Sequence, residues 1–310
     1  MANRMAAGGK VGSDWDRIAR VVTDAFGLGE VTFTDHVGHG AELTEAAIRA
    51  GVRRVVVVGG DGTINEAVNG YMAADGGVLG AELALYPLGT GGDLARSLGI
   101  NADRDRLIRA ATTRWIDVGR VTSRVDGTKR QRYFLNVSSA GATGEIVSRV
   151  NRGSKRFGAK AAFVWGTVRG LAAYENQRVR IRIDDDFEEE RTLALVAVAN
   201  GRYFGGGMKV APEACLNDGQ FDVVVMGAIG PMTFVRHAPK IYRGQHGVLP
   251  EIAFYRGRRI TLRATGAVPV RVEADGEVCG QLDAEFEVVP GGVQVLAPWE
   301  RSEAIAIPPA

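Results

Sequence analysis

The chain has little cysteine, no long apolar run and almost no excess charge. Only Cys215 and Cys279 occur in 310 residues. Both sit beside polar turn sequences, and neither has a partner at metal-ligand spacing. A disulfide framework is not indicated, and a reducing cytoplasm is the expectation. No apolar run approaches the ~18 residues of a spanning helix, and the first residues lack the apolar core of a signal peptide. The chain reads as soluble, with contact at a membrane surface left open. A net charge of +2 implies no field for nucleic acid. Repeats and low-complexity linkers are missing too. What remains is ordinary globular composition, 45% hydrophobic and 24% charged, on a length that suits two domains or one large one. Glycine is the exception: 42 residues, enough for many turns and close backbone approaches.

The stretch Val55 to Gly70 concentrates that glycine. Val55-Val56-Val57-Val58 reads as a strand buried on both faces, as in a parallel sheet. Gly59-Gly60-Asp61-Gly62-Thr63 stops it, and Ile64, Ala67, Val68 and Tyr71 mark one face of a following helix. Strand, glycine turn and helix place backbone N–H groups and a helix N-terminus at one point, an arrangement suited to phosphate. It is neither G-x-G-x-x-G nor a Walker A loop. A carboxylate beside phosphates repels them unless a cation intervenes, so Asp61 points to Mg²⁺ or proton transfer. A tight βα turn with Asp61 as a cap is the bland alternative.

Taken in order, helices are expected from Ser13 or Asp14 (Ile18, Val21, Val22, Ala25) and over Ala41–Gly51, with a strand at Glu30–Thr34 between them. A further strand, Ala81–Tyr86, ends in Pro87-Leu88-Gly89-Thr90-Gly91-Gly92-Asp93, and Leu94, Ala95, Leu98, Leu107, Ile108 and Ala111 mark more helix. This alternation predicts an α/β domain with an open, mostly parallel sheet over residues 1–119. Beyond Trp115 to Gly119 the pattern turns to short alternating runs: Tyr133–Val137, Val179–Ile183, Leu193–Ala199, Phe221–Met226, Ile260–Leu262, Val268–Glu273, Phe286–Val289 and Val293–Leu296. Turn signals such as Asn217-Asp218-Gly219 and Pro290-Gly291-Gly292 separate them. Residues 120–296 therefore read as an antiparallel β-sandwich, interrupted by helices near Ala159–Tyr174 and Met232–Tyr242. The tail, 297–310, is expected to pack back on the first domain.

The second glycine loop also follows a strand and opens a helix. In an α/β sheet two such loops face one crevice, bringing Asp61 and Asp93 together. Asp93 as a plain N-cap, and Arg96 as its ion-pair partner, remain open. Far along the chain, in Glu273-Ala274-Asp275-Gly276-Glu277, two carboxylates, Asp275 and Glu277, flank a glycine, suited to general-base or metal work or simply to a hairpin. Asn217-Asp218-Gly219 has the same two readings.

In combination, GGDGTINEAVNG, PLGTGGDLARSLGI, VAPEACLNDGQFDVVVM and the late Asp-Gly-Glu resemble the diacylglycerol kinase catalytic family, which includes YegS-like lipid kinases and sphingosine kinases. The resemblance runs from about Asn3 to Pro298. It implies a nucleotide-binding domain, a β-sandwich and an active site in the cleft between them, with Mg²⁺-dependent transfer from ATP to a lipid hydroxyl. It implies ATP contacts at Asn3, Thr34, Gly59, Gly60, Asp61, Gly62, Thr63, Asn65, Glu66, Thr90 and Asp93. A structural Mg²⁺ would sit at Asp218 with the backbone of Cys215 and Gln220, and Asp61, Asp93 and Asp117 would surround the catalytic Mg²⁺. Glu277, with Asp275, matches the proton acceptor, and Asp61 belongs to the same catalytic set. Lys10 and Arg96 would dock an anionic head group. The partner implied is a lipid alcohol met at the inner face of the membrane, with no nucleic acid; a homodimer stays open.

The chain departs from the family pattern at Arg4, where a proline is usual, at Gly92, where an asparagine is common, and in beginning at the first loop without the preceding apolar strand. An NAD kinase shares Gly-Gly-Asp-Gly-Thr, but the loop at Pro87 to Gly99 argues against it. A non-catalytic binding relative is the reading from another class, disfavoured by Asp61, Asp93, Asp275 and Glu277 standing together. Finally, Lys155, Arg156, Phe157, Lys160, Phe163, Val164, Trp165, Val168 and Leu171 mix basic and bulky apolar residues. They read either as a membrane-interfacial patch or as a helix packed on the sandwich. The interfacial reading requires that Trp165→Ala weaken co-sedimentation with anionic liposomes; unchanged co-sedimentation would eliminate it.

Overall fold

The computed structural model describes residues 1–27, 29–89, 92–100, 108, 111–144, 146, 166–170 and 172–297. Thr90, Leu107, the basic-apolar cluster from Lys155 to Trp165, Leu171 and the tail beyond 297 lie outside them. The chain falls into two compact units: Met1–Val118 with Leu216–Asp218 and the chain from Pro290, and Gly119–Cys215 with Gly219–Val289.

In the first unit the valine run forms β1 (Arg54–Gly59), which pairs in parallel with β2 (Glu82–Pro87), Val55 opposite Leu83 and Gly59 opposite Pro87. On its other side, β2 pairs in parallel with the end of β12 (Glu277–Ala297) through Leu83 and Val295. Among the described residues, Met1 to Asn3 cover the far edge of β1. Ala2 bridges both Val58 and Phe33 in the parallel sense. Val58 N–H donates to Met1 O, Asn3 N–H to Val58 O, and Thr34 N–H to Ala2 O. The α-amino group of Met1 donates to Val56 O at 2.7 Å, and burial lowers its pKa to about 6. The strand expected at Glu30–Thr34 is correspondingly reduced to a single bridge at Phe33, because its partner is so short.

The helices follow their apolar spacing. A one-turn helix α1 (Lys10–Ser13) leads to α2 (Trp15–Phe26), which buries Ile18, Val22 and Phe26. Then come α3 (His39–Arg49), α4 (Asp61–Ala73) and the short α5 (Asp93–Ser97). The fourth starts at Asp61, three residues before the start expected after Thr63, because extended Gly60 already serves as its N-cap. Helices α3 and α4 pack backbone to backbone: a Cβ on Gly70 would lie 2.2 Å from Ala41 O.

The second unit is built from antiparallel pairs. The strands are β3 (Thr112–Val125), β4 (Thr128–Phe134), β5 (Val137–Gly141), β6 (Gln177–Ile183), β7 (Phe187–Ala199), β8 (Phe221–Gly227), β9 (Ile252–Gly257), β10 (Arg259–Ala264), β11 (Arg271–Ala274) and the first part of β12. One edge of β7 pairs with β6 through its first half and with β5 through its second, and β8 pairs along the opposite edge. Strand β6 alternates buried and exposed residues throughout, as a strand with one wet face should. Its core includes Phe134 stacked on Phe221 at 5.6 Å, with Phe286, Ile260 and Val223. A second apolar cluster joins Val224 and Met226 to Phe234 and Ile241 of α6 (Pro231–Arg243), the expected helix at Met232–Tyr242.

Two further expectations are corrected. Tyr133–Val137 is not one strand: it breaks at Leu135-Asn136 because an aspartate carboxylate takes the amides there. Pro290-Gly291-Gly292 is not a turn; β12 runs through it, with Gly291 at φ 53. Within Ala159–Tyr174 the described residues 166–170 are helical.

The Gly70 contact gives a stability test. Gly70→Ala forces α3 from α4 and should cost about 1–3 kcal/mol, whereas Gly29→Ala, with open space around it, should stay within about 0.5 kcal/mol. Urea denaturation of both variants checks the contrast.

Candidate functional site

Strands β1 and β2 end level with one another, so their two glycine loops emerge side by side. Leu88 N–H donates to Gly59 O at 2.6 Å. A Cβ on Gly89 would lie 2.9 Å from the Gly60 Cα, and one on Gly59 would lie 2.6 Å from Thr63. Glycine is required here for close approach, since neither backbone can retreat without breaking its strand. The loops therefore present bare backbone, and the first-turn N–H groups of α4 have no partner inside the helix.

Asp61 opens α4 at this contact. Its Oδ2 accepts the Asp93 N–H at 3.1 Å, so the start of α4 caps the start of α5. Among the described residues its Oδ1 is buried without a hydrogen-bond partner. Burial raises the Asp61 pKa, against the opposing effects of the Asp93, Leu94 and Gly92 amides and the Arg96 charge. Asp93 is itself buried and paired through Oδ1 with Arg96 Nη1 at 2.9 Å. Asp117, also buried, accepts the Gly291 N–H at 2.7 Å.

Asn3 donates from Nδ2 to Thr63 Oγ1 at 3.1 Å, tying the first residues to the glycine turn, and Thr34 is bound through its backbone to Ala2. Asn65 is buried within α4. Glu66 is drawn elsewhere: its two oxygens accept Gly38 N–H at 2.8 Å and Gly40 N–H at 2.9 Å. That makes it a scaffold for the loop before α3 rather than a free acceptor for nucleotide. Lys10 stands exposed at the start of α1, while Arg96 is committed to Asp93.

In the second unit, Asp275 and Gly276 form the hairpin turn between β11 and β12, with φ 48 and 84. The Asp275 carboxylate accepts three backbone amides: Leu135 at 2.9 Å, Asn136 at 3.0 Å and Val137 at 3.1 Å. A carboxylate so engaged anchors the break between β4 and β5. These amides fix the Asp275 carboxylate beside Glu277, on the same turn. Glu277, the next carboxylate, pairs with Arg132 at 2.5 Å and is 36% exposed. Cys215 to Gln220 form the turn before β8, with Gly219 at φ 71 and Asp218 half-buried.

One residue of this region was not readable as a candidate. Glu273 is fully buried; its Oε1 accepts from Ser139 Oγ at 2.5 Å, its Oε2 from Gly276 N–H at 2.8 Å, and Ser139 continues to Thr143 at 2.6 Å. Burial, outweighing these bonds, raises its pKa to about 8. The signal lies in the cross-strand pairing of Glu273 with Ser139, which requires knowing that β11 lies beside β5.

The shift has a sign. Between its ordinary 4.5 and about 8, folded Glu273 holds a proton that the unfolded chain has released. Stability therefore falls as pH rises through that window, by about 1.4 kcal/mol per unit of displacement at most. Glu273→Gln has no such proton to lose. Its thermal midpoint relative to the parent should improve from about pH 5 to about pH 8; a constant difference across the window would contradict the assignment.

The diacylglycerol kinase catalytic domain family matches residues 1–121, and the YegS C-terminal NAD kinase beta sandwich-like domain matches residues 136–297. A diacylglycerol kinase of Bacillus subtilis is 30% identical over 298 residues, covering 93% of each chain. One from Mycobacterium tuberculosis is 28% identical, over 83% of this chain and 80% of its own. A crystal structure of a diacylglycerol kinase from Bacillus anthracis superposes with a TM-score of 0.71 at 21% identity, covering 97% of this chain and 96% of that one, and shows a shared fold. By these matches the chain belongs to the diacylglycerol kinase and YegS-like lipid kinase family.

Proposed function

We propose that the chain is an ATP-dependent lipid kinase that moves the γ-phosphoryl group of ATP to the hydroxyl of diacylglycerol or a related lipid alcohol. The observation that carries the reading is the Asp61 carboxylate, buried where two glycine loops touch, with one oxygen on the Asp93 amide and the other without a partner among the described residues. A buried carboxylate oxygen left so is costly unless a cation completes it. The residues fit Mg²⁺, a hard ion that takes oxygen donors. Asp61, with Asp93 and Asp117, would hold it, and when bound it supplies neutralisation of the phosphate charge. A second, structural Mg²⁺ is assigned to Asp218 and the backbone of Cys215 and Gln220.

Residues 1–119 are the nucleotide-binding domain and residues 120–296 the lipid-substrate domain. The bare turn from Gly59 to Thr63 meets the phosphates with backbone N–H groups, and Asn3, Thr34, Asn65 and Thr90 complete the nucleotide contacts. Glu66 supports them from behind by fixing the Gly38–Gly40 loop. The acceptor hydroxyl gives its proton to Glu277. Its oxygen forms a bond to the γ-phosphorus as the bond from that phosphorus to the β-phosphate oxygen breaks, and ADP leaves. Arg132 orients Glu277, while Asp275 and Glu273 hold the turn that carries it. Lys10 and Arg96 draw the anionic head group. The naming of relatives as diacylglycerol kinases supports that acceptor. Among the described residues no helix is long and apolar enough to cross a membrane; the enzyme would meet its lipid as a peripheral protein at the inner face.

Labelled ATP offered with a panel of lipid alcohols, and with NAD, tests the reading. Label should enter a lipid. Glu277→Gln should lower kcat by about 10²–10⁴, the range of a general base, and Asp61→Asn should abolish Mg²⁺-dependent turnover with the fold intact. Label in NAD and in no lipid would overturn the proposal.

A further inference from the structure

Two of the four histidines, His36 and His39, lie within four residues, on the loop that enters α3. A single carboxylate oxygen, Asp35 Oδ1, stands 2.5 Å from His36 Nδ1 and 2.6 Å from His39 Nδ1. The two rings are stacked, centroids 4.6 Å apart and 9° between planes, which turns both Nδ1 atoms toward that oxygen. The backbone N–H of Asp35 also approaches His39 Nδ1, at 3.3 Å, as a donor. That nitrogen accordingly offers a lone pair, and it faces the lone pairs of Oδ1. Two electron-rich atoms at such a distance need a positive charge or a shared proton between them.

We propose that Asp35, His36 and His39 form a binding site for a divalent transition metal of the Zn²⁺ class, separate from the Mg²⁺ of phosphoryl transfer. The donor set decides the class. Two imidazole nitrogens and one carboxylate suit Zn²⁺ and its neighbours, whereas Mg²⁺ takes oxygen. Bonds of about 2.0–2.1 Å in a tetrahedron set ligand atoms about 3.3 Å apart. Reaching that spacing needs each nitrogen to move less than about 1 Å from the oxygen, which exposed side chains do by rotation. Asp35 is 73% and His36 56% exposed, so water completes the coordination from outside.

Two neighbours make this more than a chance cluster. Glu42 Oε2 lies 3.6 Å from His36 Nε2, on the far side of the ring from Nδ1. It is placed to take the Nε2–H and so fix the tautomer in which Nδ1 binds metal. The backbone carrying the ligands is held as well, by the Glu66 carboxylate on the Gly38 and Gly40 amides. The positive end of α3 opposes a cation here, and Asp35, Glu42 and Glu66 counter it with three carboxylates. The site thus lies on the segment that follows Thr34, and its occupancy would stiffen that segment.

The full chain, stripped with chelator, is titrated with ZnCl₂ by calorimetry in the presence of millimolar Mg²⁺. One equivalent should bind and Mg²⁺ should not displace it. The His36→Ala/His39→Ala double variant should lose that equivalent, with an unchanged circular dichroism spectrum. Glu42→Gln should weaken binding by about 10–100-fold, the usual effect of losing an outer partner. Co²⁺ in place of Zn²⁺ should show visible bands that vanish in the double variant. No saturable binding by the parent chain, or an equivalent retained in the double variant, would overturn the site.

Discussion

Bare backbone at two touching loops is the constraint on which the first unit depends. Gly60 and Gly89 approach so closely that a Cβ on Gly89 would lie 2.9 Å from the Gly60 Cα. The parallel register of β1 and β2, Gly59 opposite Pro87, brings both loops to the same height. Only then does Asp61, the first residue of one helix, reach the first amide of another. A methyl group at Gly89 would separate the loops and take from α5 the carboxylate that caps it. Strand register, glycine content and the placement of one acid are thus a single device.

Carboxylates on backbone amides recur through the molecule. Glu66 holds the loop before α3, Asp275 holds the gap between β4 and β5, and Asp184 accepts the amides of Arg258 and Arg259. Charge-assisted bonds of this kind are roughly twice as strong as neutral ones and fix loops that no strand pairing reaches. Against that background the unpartnered Oδ1 of Asp61 stands apart. So does the buried Glu273, which meets its neighbours by keeping a proton rather than by ionising.

Much of this was legible in the residues. The valine run, the first glycine loop and the apolar stripe of α2 carry their geometry locally, and the structure places them within a few residues. Where reading failed, the cause was a distant partner. Glu30–Thr34 has strand composition, yet only Ala2 pairs beside it. Tyr133–Val137 alternates correctly, yet Asp275 reaches across 140 residues to take its amides. Pro290-Gly291-Gly292 has turn chemistry, but a strand passes through it with Gly291 bound to Asp117. Asp275 and Glu277 look equivalent on paper; the amides around one and the guanidinium beside the other separate them. The Asp35–His36–His39 cluster was overlooked because its meaning lies in ring orientation, which spacing alone does not convey.

The short loop from β11 into β12 also governs how the chain ages in air. Cys279 lies just past it, and burial pushes its thiol up to about 12. At neutral pH almost none of it is thiolate, the form that reacts with oxidants and alkylating reagents. It behaves as a small apolar filler. Covalent tagging through sulfur at Cys279 would therefore mark an opening of the hairpin.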